Sequence, residues 1–381
     1  MKEKVCHILL MSYFRDGSGY QENILSKKHV QLGYEVSLIS TVQSGESRSY
    51  TNADDVVIHL LPHKHSFLQN IPYVRGMVDR SIGLLNKLEE ITPDIIFIHG
   101  VCFPEIRFVV EFKKRHPGVR VFADNHQDYY NSRVTLTRKL YNCTYNSYFA
   151  HSLTKISERI WGVSPWRVDY MVNEFHIPRS KTGLLVMGGD DDFIDWSHRA
   201  EIRTDIRDKY NIPEEAFLIV TGGKIDITKN VHLLEKAIAS LPDTVYLIVF
   251  GKMTDEVKSI CEQYSSERIV DVGWVKSEEV YPFFLASDLA VFPGTHSVLW
   301  EQACASGIPA VFRDWDGGFS HVDVGGNCVL LKDPTAEVIK KEISDLINNE
   351  PRYRQMCSVA ETKARNVFSY REIAKRAIET D

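Results

Sequence analysis

The sequence predicts two α/β domains, each built as a doubly wound parallel sheet with helices on both faces. Short β-branched and apolar runs alternate with amphipathic segments in the first half of the chain, and the alternation begins again near residue 217. Strands that alternate with helices predict parallel sheets with crossover connections, so two such series predict two Rossmann-like domains. The length of 381 residues agrees, because single hydrophobic cores rarely grow that large.

Each strand is predicted from a short buried run bounded by polar or glycine-containing segments. In the first series these runs are 5–11, 35–40, 56–61, 94–99, 120–124, 160–164 and 184–187. In the second series they are 217–221, 245–250, 269–272, 289–292 and 310–312. The polar stretch 197–214 is the predicted junction, so we expect one domain over residues 1–196 and another over 197–366.

Composition argues against several classes of protein. The chain has 45 Lys and Arg against 51 Asp and Glu, a net charge of −6, whereas a dedicated nucleic-acid-binding protein carries a basic surface. No apolar run is long enough for a transmembrane helix, and no small-residue cleavage site follows the first apolar run. Seven widely spaced cysteines without a Cys-x-x-Cys pair are predicted to be reduced core thiols of a cytoplasmic protein. Peripheral contact with the inner face of a membrane is left open.

The loops that follow strands are the candidate sites, because ligands of open parallel sheets bind beyond the carboxyl ends of the strands. In two such domains we expect these ends to face a central cleft. The first loop, "RDGSGYQEN", places Gly17, Ser18 and Gly19 before a helix that runs to about Gly33. Glycines allow close approach of the backbone to a ligand, and free amides at a helix start favour anions. A phosphate site and a tight turn capped by Ser18 both fit this loop.

The second loop, "ADNHQDYYN", gathers Asp124, His126 and Asp128 within a few residues of the end of a strand. Polar side chains at this density either cap a turn or line a site. An imidazole can hydrogen-bond a sugar hydroxyl or stabilise a departing phosphate. No second cluster of ligands converges on this one in the sequence, so no metal site is predicted.

Two further loops lie in the second series. In "TGGKIDITKNVHLL", Lys224 and Lys229 flank a loop between a Gly-Gly strand exit and a helix that starts near Asn230. These lysines are either solvated surface charges or the cations that neutralise a diphosphate. In "FPGTHSVLWEQACASGIPAVF", a polar loop leads into a helix that is expected to open at Ser297 or Val298, whose free amides would cradle a phosphate.

The order and spacing of these motifs resemble those of retaining, nucleotide-sugar-dependent glycosyltransferases of the GT-B fold, group 1 (family 4). The elements that carry the resemblance are "GSGYQENILSKKHVQLGYEVSLIS", "DNHQD", "WGVSPWRVDYM", "LLVMGGDDDFI", "GGKIDITKN" and "EQACASGIP", which together extend over nearly the whole chain. No single motif is diagnostic, and the resemblance rests on the set.

The resemblance implies roles for individual residues. Lys224 and Lys229 fall where the family grips the donor diphosphate, and His126 falls on the histidine that contacts the transferred sugar. The amides of Ser297 and Val298 fall at the distal phosphate. The glycines of the first loop and of the Gly-Gly exit are assigned to donor binding, namely Gly17, Gly19 and Gly223.

The sequence departs from the family at two positions eight residues apart, where glutamates usually contact the sugar and the ribose. Gly294 occupies the first position, so Thr295 and His296 are the nearest candidates to replace it, although His296 equally fits a helix cap. Gln302 occupies the second, and it or the adjacent Glu301 is expected to bind the ribose.

The resemblance also implies a mechanism and partners. The family transfers a sugar with retention through an oxocarbenium-like transition state and without a metal, and the donor is a co-substrate rather than a cofactor. We expect a glycan or lipid-linked acceptor, in cell-surface polysaccharide synthesis, bound to the first domain. The C-terminal helix, 367–381, is expected to pack back on that domain. The segment 132–155, with Arg133, Arg138 and Lys139, fits either a membrane surface or a buried aromatic face.

Two alternatives are kept. The triplet Asp190, Asp191 and Asp192 could mimic the acidic metal motif of the GT-A transferases, although that fold does not explain a second series of strands, and a turn or capping role also fits. The missing glutamates keep a non-catalytic sugar-nucleotide-binding subunit as a second alternative.

Overall fold

The computed structural model describes residues 2–42, 46–64, 80–129, 140 and 142–379. It divides into two compact units, one formed by Met1–Leu185 with Ile373–Asp381 and the other by Val186–Glu372. The division differs from the predicted boundary at 196/197. Residues 186–196 belong with the second unit, where the amide of Gly189 donates to the Phe368 carbonyl at 3.0 Å and the amide of Asp190 donates to the Tyr281 hydroxyl at 2.9 Å. Arg133, Arg138 and Lys139 lie outside the described residues.

The first unit is built on an eight-stranded sheet in the order β10-β9-β8-β7-β1-β2-β4-β3. Every neighbouring pair is parallel except β3 and β4. A separate antiparallel pair, β5 and β6, lies outside this sheet. The strands are β1 (Lys4–Ile8), β2 (Glu35–Thr41), β3 (Arg48–Thr51), β4 (Val57–Leu61), β5 (His63–Lys64), β6 (Arg80–Ser81), β7 (Ile95–His99), β8 (Arg120–Asn125), β9 (Arg159–Gly162) and β10 (Thr182–Leu184).

Helices connect these strands and bury their apolar faces against the sheet. They are α1 (Gln21–Gln31), α2 (Leu84–Ile91), α3 (Ile106–Arg115), α4 (Ser147–Thr154) and α5 (Pro165–Glu174). Helix α3 is an example of an amphipathic helix, because Ile106, Val109 and Phe112 recur at helical spacing and are fully buried. Its last turn is basic, which suits the negative end of the helix dipole. Helix α5 begins where the Ser164 side chain accepts from the Arg167 amide, with Pro165 in the first turn.

The second unit is built on a six-stranded, entirely parallel sheet in the order β13-β12-β11-β14-β15-β16. Its strands are β11 (Phe217–Ile225), β12 (Val245–Met253), β13 (Ile269–Gly273), β14 (Leu289–Phe292), β15 (Ala310–Arg313) and β16 (Cys328–Leu331). Its helices are α6 (Arg199–Lys209), α7 (Val231–Ala239), α8 (Asp255–Cys261), α9 (Tyr281–Ala286), α10 (Leu299–Ala305), α11 (Ala336–Asn348), α12 (Glu350–Val359) and α13 (Arg365–Val367). The predicted fold of two doubly wound α/β domains is confirmed.

The last helix is α14 (Tyr370–Ala377). Its first residues belong to the second unit, whereas its residues from Ile373 onward belong to the first. The indole Nε1 of Trp161 donates to the Ala377 carbonyl at 3.0 Å, and the guanidinium of Arg120 donates to the Ile378 carbonyl. Ile373, Ala374, Ala377 and Ile378 are buried. The end of the chain therefore completes the core of the unit in which the chain begins.

The expectation that all seven cysteines are core thiols needs correction. All seven cysteines are free, but Cys143 is exposed because its turn of π-helix, Asn142–Asn146, faces outward at that position, so the thiols are not all core thiols. Within the described ranges, none of the helices combines the length and the apolar composition needed to cross a bilayer.

Candidate functional site

The ends of β11 and β14, which are neighbours in the second sheet, carry two loops that are bonded to each other. We call residues 226–230 the lysine turn and residues 293–298 the polar loop. The amide of Thr295 donates to the Thr228 carbonyl at 3.0 Å, and the Asn230 side chain donates to the Pro293 carbonyl at 3.0 Å. The Lys229 ammonium donates to the carbonyls of Thr295 at 2.8 Å and His296 at 3.2 Å. The structure thus brings together Lys229, Thr295 and His296, three of the residues proposed for the donor site.

Gly294 marks the closest approach of these loops. A Cβ atom on Gly294 would lie 2.2 Å from the carbonyl carbon of Lys229 and 2.3 Å from its Cα and carbonyl oxygen. All three are backbone atoms, which cannot move aside without displacing the lysine turn. The polar loop therefore lies so close to the lysine turn that a side chain at position 294 would clash with the backbone there.

Lys229 is partly buried, and this burial lowers the pKa of its ammonium, while the Asp226 carboxylate opposes the shift. Asp226 begins the short 3-10 turn Ile227–Lys229 and accepts from the Thr228 amide at 2.9 Å. The hydrogen bonds from Thr228 are the main reason that the pKa of Asp226 is lowered, and the positive charges of Lys229 and Lys224 add to it. The two lysines are thus close enough to act on one carboxylate.

Lys224 is placed differently from the prediction. Strand β11 continues beyond Thr221 to Ile225, so Lys224 lies in the strand, exposed, and opposite Lys252 of β12 rather than in a loop. Gly223 allows this extension, because it has a φ of 113° and a Cβ there would lie 2.9 Å from Leu299 of α10.

Glu301 is fully buried in the first turn of α10, where it does not face solvent as a ribose-binding residue should. Its Oε1 accepts from Nε2 of His296 at 2.8 Å and from Nε2 of His321 at 3.0 Å. Burial opposes ionisation of the carboxyl, but the two imidazoles outweigh it and lower the pKa of Glu301 to about 2. His296 also stacks on Phe319, with ring centroids 4.0 Å apart. The His296 side chain is therefore tied to the interior, and the N-cap residue of α10 is Val298.

The remaining predicted residues of this loop divide between interior and surface. Gln302 is buried, and its amide nitrogen donates to the Tyr281 hydroxyl at 3.3 Å. Helix α10 begins at Leu299, one residue later than the latest predicted start. The exposed Val298 is its N-cap, and Ser297 lies in the loop before it. The Thr295 hydroxyl lies 3.2 Å from the Thr228 hydroxyl at the surface of the loop pair.

The first unit holds the other predicted residues. The turn around Gly17 and Gly19 closes on itself, since the Ser18 hydroxyl donates to the Arg15 carbonyl at 2.9 Å. The N-cap of α1 is Tyr20 and not Ser18, because the chain turns into the helix only after Gly19. Arg15 and Tyr20, on either side of the glycines, line a cavity of about 1250 Å³.

His126 follows β8 and is exposed, with its Nε2 3.6 Å from Oδ2 of the buried Asp124. Asp128 does not join them, because it is buried and paired with the Arg167 guanidinium at 3.1 Å. Asp124 also accepts from Nδ1 of His99 at 3.0 Å. Sequence reasoning missed His99, and the signal that could have found it is a histidine at a core position of an otherwise apolar strand. His321, the second partner of Glu301, was also missed, because it lies in the short 3-10 turn Ser320–Val322, where no strand pattern marks it as buried.

The acidic triplet, residues 190–192, lies in a turn whose carboxylates accept hydrogen bonds from main-chain amides. Asp190 caps the turn Asp191–Phe193 by accepting from the Asp192 amide at 3.2 Å, and Asp191 accepts from the Arg371 amide at 2.9 Å. Two of the three carboxylates are therefore engaged with main-chain amides, as in a capping turn.

Replacing Glu301 by Gln is expected to destabilise the protein most at neutral pH. The folded pKa of about 2 lies below the ordinary value of 4.5, so the carboxylate stabilises the fold above about pH 4.5 and loses this effect as the pH falls toward 2. Urea unfolding of wild type and Glu301→Gln would be measured at several pH values. The difference between their free energies of unfolding should become smaller as the pH falls. Exposed Glu350, changed to Gln, serves as control with a small difference throughout. A difference in the free energy of unfolding that does not change with pH would contradict the lowered pKa of Glu301.

Comparison with solved structures identifies the architecture. A glycosyltransferase from Rickettsia africae superposes with a TM-score of 0.68 at 14% identity, over 98% of this chain and 96% of that chain. HepE from Anabaena in complex with UDP-glucose gives 0.63 at 13% identity, over 98% of each chain. The chain has the GT-B fold. A UDP-N-acetylglucosamine 2-epimerase also superposes, with a TM-score of 0.58 at 13% identity over 99% of this chain and 95% of that chain, so the GT-B fold alone does not decide the reaction.

Sequence comparison adds information about the second unit. Residues 202–363 match the family model of glycosyl transferases group 1. The matched stretch includes the lysine turn and the polar loop, so both lie within the part of this GT-B chain that resembles the family. No curated protein matches the chain in sequence. The family match supports a transferase.

Proposed function

We propose that this chain is a retaining glycosyltransferase that moves a sugar from a nucleotide-sugar donor to a glycan or lipid-linked acceptor, without a metal. The observation that carries the proposal is the group 1 match over residues 202–363, a stretch that contains the bonded pair formed by the lysine turn and the polar loop. A nucleotide-sugar donor is further supported by HepE, a protein of similar fold whose structure has been solved with UDP-glucose.

Lys229 is the proposed contact of the donor diphosphate. An ammonium group has three N–H donors, and the carbonyls of Thr295 and His296 take two, which leaves one for a phosphate oxygen. Those two carbonyls also hold the side chain in one place before a ligand arrives. Lys224, on the adjoining strand, would add a second positive charge. Such a preorganised cation stabilises the negative charge that grows on the departing diphosphate.

Recognition of the donor sugar and ribose must use other groups than the two glutamates of the family. Gly294 offers no side chain, and Glu301 and Gln302 are occupied inside the unit. The hydroxyls of Thr228 and Thr295 are exposed beside Lys229 and can both donate and accept. We assign sugar or ribose hydroxyl binding to this threonine pair. For His126 of the first unit we propose a contact with a sugar hydroxyl.

The acceptor is assigned to the cavity of about 1250 Å³ in the first unit. Its volume suits an oligosaccharide or a lipid headgroup rather than a single small molecule. Aromatic, basic and acidic side chains line it, including Tyr13, Tyr20, Phe103, Arg15, Arg48, Glu22, Glu46 and Glu105. Aromatic faces bind the apolar faces of sugar rings, and the arginines suit a phosphate or carboxylate on the acceptor.

Donor turnover is the experiment that tests the proposal. A panel of nucleotide sugars would be scored both for thermal stabilisation of the protein and for release of the nucleoside diphosphate. Slow hydrolysis of one donor, faster with a suitable acceptor and with retained anomeric configuration, is the expected result. Stabilisation without turnover would instead identify a binding subunit, and isomerised nucleotide sugar without transfer would identify an epimerase.

Transfer is expected to persist in excess EDTA, because Lys229 and Lys224 supply positive charge where a cation otherwise would stand. The rate with the preferred donor would be measured before and after chelation, and again after adding Mg²⁺ or Mn²⁺. A complete loss that either ion restores would contradict metal independence and return attention to the acidic triplet.

A further inference from the structure

Three buried histidines form a continuous hydrogen-bonded chain through the first unit. Nε2 of His29 contacts the Ala374 carbonyl at 2.8 Å, and Nδ1 of His29 contacts Nε2 of His7 at 2.9 Å. Nδ1 of His7 contacts Nε2 of His99 at 3.0 Å, and Nδ1 of His99 contacts Oδ2 of Asp124 at 3.0 Å. All four side chains are buried. The proposed transfer mechanism gives the three histidines no role.

The fold explains how residues so distant in sequence meet. His7 on β1 lies in register with Phe97 on β7, and His99, two residues further, lies in register with Asp124 on β8. These side chains therefore share one face of the sheet, which α1 covers with His29. Each ring uses opposite nitrogens for its two neighbours, so the rings form a line and do not converge on a point where a metal ion could be held.

Counting hydrogens shows that this line holds an extra proton. It ends on acceptors at both ends, because the Ala374 carbonyl and the Asp124 carboxylate can only accept. Four hydrogen bonds need four hydrogens, whereas three neutral imidazoles supply three. One additional proton is therefore bound, either on an imidazole, which becomes imidazolium, or on Asp124.

Electrostatics favours an ion pair at the Asp124 end. Burial lowers the pKa of His99, but Asp124 outweighs it and raises the pKa above its usual value; Glu22 on α1 acts in the same direction. Burial also opposes ionisation of Asp124, yet His99 and His126 hold the pKa of this carboxyl well below its usual range. Burial lowers the pKa of His29 to about 4 and, with the other rings, that of His7 well below normal.

We propose that His29, His7 and His99 form a relay that binds one proton against Asp124 and thereby fixes the carboxylate that orients His126, which makes His99 a positioning residue. The Asp124 oxygen that accepts from His99 is also the one 3.6 Å from Nε2 of His126. An anionic oxygen at that place draws the Nε2 hydrogen of His126 toward the interior, which selects the ring orientation and tautomer presented to a sugar. This role rests on the proposed transferase function, whereas the bound proton does not.

The proton is tested without any assay of activity. Protein labelled with ¹⁵N in its histidines would be examined by NMR near neutral pH, where imidazolium and the two neutral tautomers have distinct nitrogen shifts. We expect one imidazolium, at His99, and neutral rings at His7 and His29, assigned by the loss of signals in single variants. A neutral His99 in the wild type would overturn the proposal, even if the protein proves to be an active transferase.

Asp124→Asn tests the positioning role. An amide at this place donates to Nδ1 of a neutral His99, so all four hydrogen bonds survive without the extra proton, and the variant is expected to fold. It also presents N–H to His126 and reverses the preferred tautomer. The expected result is a neutral His99 by NMR with kcat lowered at least about tenfold, a changed pH profile and a small change in KM.

The matched control is His116→Gln, a surface histidine of the same unit that pairs with Glu89 at 2.8 Å outside the relay. It should leave kcat and the pH profile unchanged. Asp124→Asn with wild-type kcat and pH profile would overturn the positioning role, whereas a wild type without donor turnover would reject the transferase function and leave the NMR result to decide the relay. If Asp124→Asn fails to fold, kcat, KM and the pH profile are measured for His99→Gln instead, with the same expected changes.

Discussion

Lys229→Ala is expected to lower the efficiency of sugar transfer about 10²-fold while the protein remains folded. The ammonium is held by the carbonyls of Thr295 and His296 at the mouth of the polar loop, where a diphosphate oxygen can take its remaining hydrogen. A charge-assisted hydrogen bond contributes about 1.5–3 kcal/mol, and exclusion of water favours the upper end. Steady-state transfer with the preferred donor, beside a melting curve, measures both effects.

Two further variants are measured beside Lys229→Ala, a conservative replacement of the same lysine and a control at another lysine. Lys229→Arg keeps a cation that can reach the same carbonyls and should recover part of the activity. Lys236→Ala removes a half-exposed lysine from the following helix, α7, together with its 3.8 Å ion pair with Glu337. This change should alter neither activity nor stability by more than about 0.5 kcal/mol. Near-wild-type transfer by Lys229→Ala would remove this residue from the site.

Gly294→Ala is expected to destabilise the second unit by about 2–3 kcal/mol or more, because the added methyl group would lie 2.2 Å from the backbone of Lys229. For a unit of this size, that loss corresponds to roughly 5–10 °C in Tm. The displaced lysine turn should also lose donor affinity. Gly294→Glu is expected to behave in the same way, so restoring the glutamate usual in the family should not restore its function here.

Gly118→Ala is the matched control for the Gly294 variants. Gly118 also has an ordinary φ, and a Cβ atom there would meet nothing within 4 Å. Its replacement should leave the melting temperature unchanged or raise it slightly, since alanine restricts the unfolded chain. A fully stable and active Gly294→Glu protein would show that the two loops can separate without cost.

Much of the fold could be predicted from the sequence, because buried parallel strands leave compact apolar runs between amphipathic segments. Strands β7, β11 and β14 begin within a residue of their predicted starts. The edge strand Arg48–Thr51 was missed because its side chains are polar and mostly exposed. The strand Cys328–Leu331, at an edge of the second sheet, was missed although it is apolar; its two middle residues are only half buried. Lys224 was placed in a loop because the two glycines before it looked like the end of the strand.

The site was harder to predict, because its decisive contacts join residues that are remote in sequence. The loop motifs and the family resemblance indicated Lys229, Thr295 and His296, but they could not show that Glu301 is enclosed by His296 and His321. Nor could it show that His7, His29 and His99 meet, since each stands alone in its own element. Such contacts depend on strand order and register, which the local pattern of apolar residues does not encode.

The return of the chain end to the first unit has a consequence for biosynthesis. Residues 373–379, whose backbone accepts from His29, Trp161 and Arg120, are translated only after all of the second unit. Domains generally begin to fold while the ribosome is still adding residues. The unit that emerges first therefore waits for its last structural element, and the later unit can reach its final structure before the earlier one.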